Sequence, residues 1–561
     1  MSTRRTVWGA CALPAILGLL VAACSPERGP QTGSQTNWLT VCRSDAECGD
    51  VKCLCGACTT TCEAEADCGD LTGASCIPAE DSGAIALCGG CTPSHSGLCL
   101  PRCEDQECED GTACVAGVCT PIPDPAVAVT VDGSSQYQTL IGFGASLAYS
   151  DDEIAEHAQS AALYEAMFAD SGLDILRLRN RYDGDNLDDL TAASQIVEGV
   201  SQGLGQPPTM MMTAGSPPAV LKANGSRDCS GNPDTCTLVQ LGDGGFDYAG
   251  FGTHWRASLD AYASVGVVPD FVTVQNNPNW IPAEGETLEA CRFLPTEGTA
   301  TVSVDGSDVE VPLPGLAQAL EAVATELDGL ASVPSIVAPE VTNYEVVAEY
   351  APSLDFTIVD AIGHHMYGTD PAAIDDEALA ALGEFAQEQD RPLLQTEMRE
   401  DGLDTAILMH HVLAVEGAAA YLQNDFVTSA FSLEPDEAAL IALTEEDFTI
   451  QAPYHALRHY ALHTDPGWVR VAAASDTEDL LASAWLSPEE DALTVILVNA
   501  GPTELATRVD LDAEALGLPG TAEVTRTVFE GVERSAELGV LPAEGVVLVP
   551  GHSIVTVAWQ S

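Results

Sequence analysis

Between Leu140 and Phe431, short apolar runs recur at intervals that leave room for a helix after each one. They are LIGFGA (140–145), DILRLR (174–179), TMMMTA (209–214), DFVTVQ (270–275), PSIVAP (334–339), VDAIGHH (359–365), PLLQTE (392–397) and FVTSAF (426–431). Near-continuous apolar stretches of this length predict strands covered on both faces. All but the last are followed by helical patterning, as in LAQALEAVATELDGL (316–330). Eight β–α alternations across residues 137–465 predict an α/β fold, a closed (β/α)8 TIM barrel. After Pro466 the helical period vanishes, and WVRVAAA, LLASAWL, LTVILVNA, VVLVPG and IVTVAW predict a β-sandwich over 466–561. AVAVTV (126–131), ahead of the barrel, is expected to add a strand to that sandwich, so residues 120–136 read as a linker plus its first strand.

The N-terminal part has a different texture. Fifteen of the 20 cysteines lie between Cys42 and Cys119, among few apolar residues. CRSDAEC, CEAEADC and CEDQEC repeat one motif: a cysteine, an acidic middle and a closing cysteine. Such a segment cannot bury enough apolar surface to hold itself together, so disulfides must supply its stability. Residues 42–119 therefore read as a disulfide-rich module, with connectivity left open. The close spacing of Cys53, Cys55 and Cys58 also suits zinc, but no matching Cys/His set completes such a site. No metal or other cofactor is expected. Cys229 and Cys236, flanking SGNPDT, are expected to form a short disulfide clipping a surface loop. Cys291 reads as a buried thiol or as the partner of the odd module cysteine.

Ahead of the module, Arg4 and Arg5 precede an apolar stretch ending in Leu-Val-Ala-Ala-Cys at Cys24. This pattern predicts a secretory signal over 1–23, with small residues before a cysteine as in a bacterial lipobox. Cys24 would then carry lipid, and residues 24–41, rich in Pro, Gly, Ser and Thr, would be a tether. The expected location is outside the cytoplasm, held to a bilayer by the lipid, at the outer membrane or cell surface of a bacterium. A plain cleaved signal is the alternative.

Charge excludes one class of partner. With 85 acidic against 20 basic residues, the formal net charge of −65 repels nucleic acid.

Barrel chemistry belongs at the C-terminal strand ends. Those ends carry Arg177, Ser216-Pro217-Pro218, Asn276-Asn277-Pro278, Glu340, His364-His365, Tyr367 and Glu397. The ring contains only two carboxylates, and no nucleophile–base ordering, metal motif or phosphate loop accompanies it. Met210 to Met212 are expected to fill the barrel interior, and one of His364 and His365 to be a core residue.

From about residue 126 onward the chain resembles glycoside hydrolase family 30. The resemblance rests on GFGASLAYS (142–150), LDILRLRN (173–180), SPPAVLKANG (216–225), VQNNPNW (274–280), DAIGHHMYG (360–368), LLQTEM (393–398) and PGWVRV (466–471), in family order. It implies a barrel with an attached sandwich and retaining hydrolysis of β-glycosides, with a β-linked polysaccharide or oligosaccharide such as xylan as substrate. By the same resemblance Glu397 matches the nucleophile, and Arg177 the arginine that buttresses it. Asn276 matches the residue that binds the sugar 2-hydroxyl, while His365 and Tyr367 match residues beside the nucleophile. Trp280 is a candidate sugar platform or a buried ring. Two positions depart from the family. The acid/base glutamate of Gln-Asn-Glu-Pro is Asn277 here, and the tryptophan before Ser-Pro-Pro is Gly215. An amide can neither protonate a leaving oxygen nor deprotonate water. Glu340 is either a substitute acid or a carboxylate satisfied by its neighbours. Three functions stay open: an impaired surface glycosidase, a non-catalytic carbohydrate-binding or sensing lipoprotein, and an adhesive cysteine module with the barrel as cargo.

Overall fold

The computed structural model describes residues 38–560, apart from 79–96, 104–107, 109–111, 185–189, 230–234, 430–436 and scattered single or paired positions. The signal, Cys24 and most of the tether lie outside the described residues, as does Cys55. Among the described residues no helix is long and apolar enough to cross a membrane. The chain divides into two compact units, Met1–Leu100 and Pro101–Ser561.

In the first unit, short strands are stapled by Cys42–Cys53, Cys48–Cys58, Cys62–Cys76 and Cys68–Cys99. Cys103–Cys114 and Cys108–Cys119 repeat the same crossed pattern, first with third and second with fourth, at the start of the second unit. The sulfurs of Cys53 and Cys58 are thus committed to disulfides rather than available to zinc. The hairpin that carries the last two bridges, Thr112–Val115 with Val118–Pro121, packs on the strand Ala536–Val540.

The second unit is built on a closed eight-stranded parallel barrel. Strands one to eight are Gly142–Ser146, Ile175–Arg179, Thr209–Thr213, Phe271–Thr273, Ser335–Val341, Ala361–His365, Leu393–Met398 and Ala420–Asn424. Helices Thr191–Leu204, Tyr248–Ser264, Leu316–Leu327, Asp376–Glu388 and Gly402–His410 cover its outside. Two of the expectations need correcting here. The eighth strand is Ala420–Asn424, not the FVTSAF run, whose Val427–Thr428 instead pairs with Ile441–Leu443 in a small three-stranded sheet. Of the three methionines only Met211 faces the interior core, with Ile175, Val337 and Leu394. Met210 and Met212 point outward under the helices, as alternation on a strand requires.

The C-terminal strands form one nine-stranded sheet that includes Val127–Thr139, paired between Val469–Ser475 and Leu505–Asp510. The end strand Val546–Val549 folds back over Leu493–Asn499, where Asn499 Nδ2 donates to the Val549 carbonyl at 3.0 Å. Alternation divides the labour of each strand. Leu493, Val495 and Leu497 fill the core enclosed by this sheet, while Ile496 and Val498 join the barrel's outer core. That shared face fixes the sheet against the barrel.

Candidate active site

Arg177 lies near the mouth end of strand two, and alternation from Ile175 in the interior core turns its side chain into the lumen. It is buried and holds three partners: Nη1 donates to Glu397 Oε2 at 2.7 Å, and Nη2 to Glu340 Oε1 at 3.0 Å and Asn276 Oδ1 at 2.8 Å. The two carboxylates reach the same lumen through irregularities of their strands. Register shifts across Pro339–Val341 and across Gln395–Met398, so one extra residue in each strand changes the phase of alternation. Such bulges re-aim a side chain beside a site. Glu340 also adopts a left-handed backbone, φ 61°, uncommon outside glycine.

Glu397 has both oxygens occupied. Arg177 holds Oε2, and the Tyr367 hydroxyl donates to Oε1 at 2.7 Å. Asn424 Nδ2 donates to that hydroxyl in turn, at 3.1 Å. Burial alone would raise the Glu397 carboxyl, but His365, Arg177 and Tyr367 outweigh it and pull it down to about 2. The same carboxylate, after burial, pushes the Tyr367 hydroxyl far up, so the phenol stays a donor.

Glu340 is equally enclosed. Besides Arg177, His365 Nε2 approaches Oε1 at 3.4 Å, and Thr396 Oγ1 donates to Oε2 at 3.0 Å. Burial opposes its charge, yet the nearby His365 ring and the charge of Arg177 lower its pKa. A carboxylate gripped in this way has no proton to give near neutrality. His364 turns the other way, into the outer core, where Nε2 pairs with Glu416 at 2.7 Å.

Asn277, at the end of strand four, has a left-handed backbone, φ 50°, and its N–H donates to the Glu340 carbonyl at 3.0 Å. Its buried Oδ1 has no partner among the described residues. Trp280 stands apart from the Arg177 network. It is partly buried against the Cys229–Cys236 disulfide and Ala290. Cys291 is a buried free thiol, which burial pushes up to about 12.

Two further acids line the mouth and were not singled out in the sequence. Asp425 follows strand eight; burial pushes it up to about 6, and Oδ1 is buried without a partner. Glu289 reaches in from the pair Asp228–Cys229 and Leu288–Glu289, beside the disulfide. It occupies the space beside Gly215. A Cβ added there would stand 2.9 Å from Glu289 Oε2 and 3.3 Å from its Cβ. The signal for Glu289 was Gly215 itself, since a missing ring raises the question of what fills its place.

Among solved structures the chain is similar to the glycoside hydrolase family 30 subfamily 8 xylanase Xyn30A of Clostridium acetobutylicum, at 17% identity and TM-score 0.56, covering 77% of this chain and 100% of that one. It is similar to the catalytic domain of xylanase C of Talaromyces cellulolyticus at 16% identity and TM-score 0.58, with the same coverage of 77% and 100%. A conserved exported protein of Bacteroides fragilis matches at 12% identity and TM-score 0.60, again over 77% and 100%. No family model matches the chain, and no curated protein matches it in sequence. Barrel and attached sheet together therefore have a family 30-like glycoside hydrolase fold.

Proposed function

We propose that this chain is an exported, lipid-anchored protein with a retaining β-glycosidase site for a β-linked polysaccharide such as xylan, in which Glu397 is the nucleophile and proton transfer is crippled at Asn277. The observation that carries the reading is the grip on Glu397. An ionised carboxylate, fixed by Arg177 and Tyr367 and pulled down to about 2, is an oriented nucleophile rather than an acid. The likeness in fold to two xylanases supports the substrate class, and the small residues before Cys24 support the anchor.

In the first step a Glu397 oxygen bonds to the anomeric carbon as the bond to the leaving oxygen breaks, giving a glycosyl ester. At the acid position Asn277 has no proton to give, so the leaving group departs as an oxyanion. Aryl glycosides with acidic phenols tolerate this, whereas a sugar alkoxide does not. General acid assistance is worth about 10²–10⁴-fold, so natural glycans should turn over slowly. Dinitrophenyl glycosides should react, Glu397→Gln should abolish every reaction, and turnover of plain xylan at ordinary rates of about 1–10³ per second would sink the reading. Asn277 and Gly215 also favour a second reading, a binding protein without turnover. Failure of Glu397 to form any adduct would select it.

A further inference from the structure

The mouth holds a carboxylate with no assigned role. Glu289 Oε1 accepts from Arg227 Nε at 3.2 Å and lies 3.7 Å from Arg179 Nη1, which leaves Oε2 buried and without a partner among the described residues. Arg179 is two residues beyond Arg177 on strand two, so it shares the lumen-facing side one layer nearer the mouth. Its guanidinium lies 4.3 Å from the ring centre of Tyr149, an exposed residue just beyond strand one. Strand two thus carries Arg177, which holds Glu397, and Arg179, which faces Glu289, on one side of the lumen, so both carboxylates border one cleft.

Barrel order places them across that cleft. Glu289 docks on Gly215, just past strand three, and Glu397 belongs to strand seven; in a closed ring of eight these strands are opposite. Asn277 lies just past strand four, next to strand three, and Gln275 Nε2 bridges the two by donating to the carbonyls of Gly215 and Asn276, each at 2.8 Å. A retaining site needs its second carboxyl on the sugar face opposite the nucleophile, where water attacks. Asp425 follows strand eight, beside the nucleophile, and Glu340 has no free oxygen. Glu289 is on the correct side with an oxygen to spare.

We infer that Glu289 is a catalytic residue, the general base of the hydrolytic half-reaction, admitted to the cleft by the absence of a side chain at Gly215. The inference rests on the reading of Glu397 as nucleophile. Water bonds to the anomeric carbon as the ester bond to Glu397 breaks and the Glu397 carboxylate is released. Glu289 Oε2 takes the water proton and returns it to solvent. Held by Arg227 through Oε1, Glu289 serves the second half-reaction alone, and the first still depends on an acidic leaving group.

The test uses the purified full chain with dinitrophenyl β-xyloside and β-glucoside. Glu289→Gln keeps the size and the acceptor for Arg227, and Glu289→Asp withdraws the carboxylate by one methylene. Both should show an unchanged burst of dinitrophenol followed by steady turnover about 10²-fold slower than wild type. KM should fall with kcat, and mass spectrometry should find the adduct on Glu397. Azide, which needs no base, should restore the rate and give the β-glycosyl azide. A variant that has merely lost structure would fail in the burst and gain nothing from azide. Steady rates within about twofold of wild type in both variants, or slow turnover that azide does not restore, would overturn the inference alone. Absence of an adduct in the wild type, or activity surviving Glu397→Gln, would overturn the nucleophile reading and this inference with it.

Discussion

Arg177 lets two glutamates share one small lumen. Without its guanidinium, Glu340 and Glu397 would be buried like charges, and one of them would take a proton. Tyr367 completes the arrangement. In Tyr367→Phe the Glu397 carboxylate loses a donor, so its pKa should rise from about 2. Hydrogen bonds to charged groups contribute about 1.5–3 kcal/mol, so kcat/KM on aryl glycosides should fall about 10–100-fold. The acid limb of the pH–rate profile should move upward, and an unmoved limb would assign Tyr367 a steric role only. Asn277→Glu replaces the amide with a proton donor. It should raise xylan turnover by about 10²–10⁴-fold and cost about 1 kcal/mol of stability, because φ 50° suits asparagine better than glutamate. A folded variant still inert toward xylan while active on aryl glycosides would locate the defect elsewhere in the cleft. Arg177, Asn276, Asn277, Tyr367 and Glu397 could be marked in the sequence because each stands in a motif at a strand end. Glu289 could not be marked by its own position: the hint is Gly215, 74 residues earlier, whose missing ring leaves a gap without saying which residue fills it. No periodicity encodes that contact.

The strands themselves were legible where branched and aromatic residues ran together, and illegible where they did not. Strand eight, Ala420–Asn424, follows a run of alanines and lacks the β-branched content of FVTSAF, so composition favoured the wrong segment. Pairing with Gly142–Ser146 to close the barrel outweighs that propensity. The bulges in strands five and seven were equally hidden, because one extra residue in a buried strand leaves no mark on an apolar pattern. Their consequence is testable at Gly363 of strand six. A Cβ there would come 2.5 Å from Val337 Cγ1 and 2.8 Å from Glu340 Oε2, on the face where the first bulge lies. Gly363→Ala should therefore destabilise by about 1–3 kcal/mol in denaturant unfolding and weaken the Glu340–Arg177 contact. A change below about 0.5 kcal/mol, with unaltered kinetics, would mean that strand five yields easily and does not fix the site.

The excess of acid over base gives the molecule a direction of response to pH. Asp174 is pushed up to about 7, Asp425 to about 6 and Glu504 to about 8, each by burial first. Their ordinary values lie near 4, so between about 4 and 8 these three groups hold protons that the unfolded chain has released. Burial acts oppositely on the rings of His254, His455 and His463, pulled down to about 4, and of His410, pulled down to about 3, so between about 4 and 6.5 these four bind fewer protons folded than unfolded. Stability must then rise with pH up to about 6.5, where the rings outnumber the acids, and fall from there toward about 8. The net charge of −65 adds mutual repulsion that grows as the last carboxyls ionise. Glu397 works the other way. Pulled down to about 2, it contributes stability that is lost as pH drops from about 4.5 toward 2. The two trends place the maximum on the acid side of neutrality. The melting temperature of the full chain should be highest near about pH 6.5 and decline toward about pH 8. Added salt should recover more of it at the alkaline end, where repulsion between exposed charges is screened. Asp425→Asn with Glu504→Gln, which leave those two sites uncharged at every pH, should flatten the decline without raising the acid-side maximum. A melting temperature that climbs from about pH 6.5 to pH 8, or a double variant with the wild-type slope, would show that these buried acids are solvated in the native state and do not set the response.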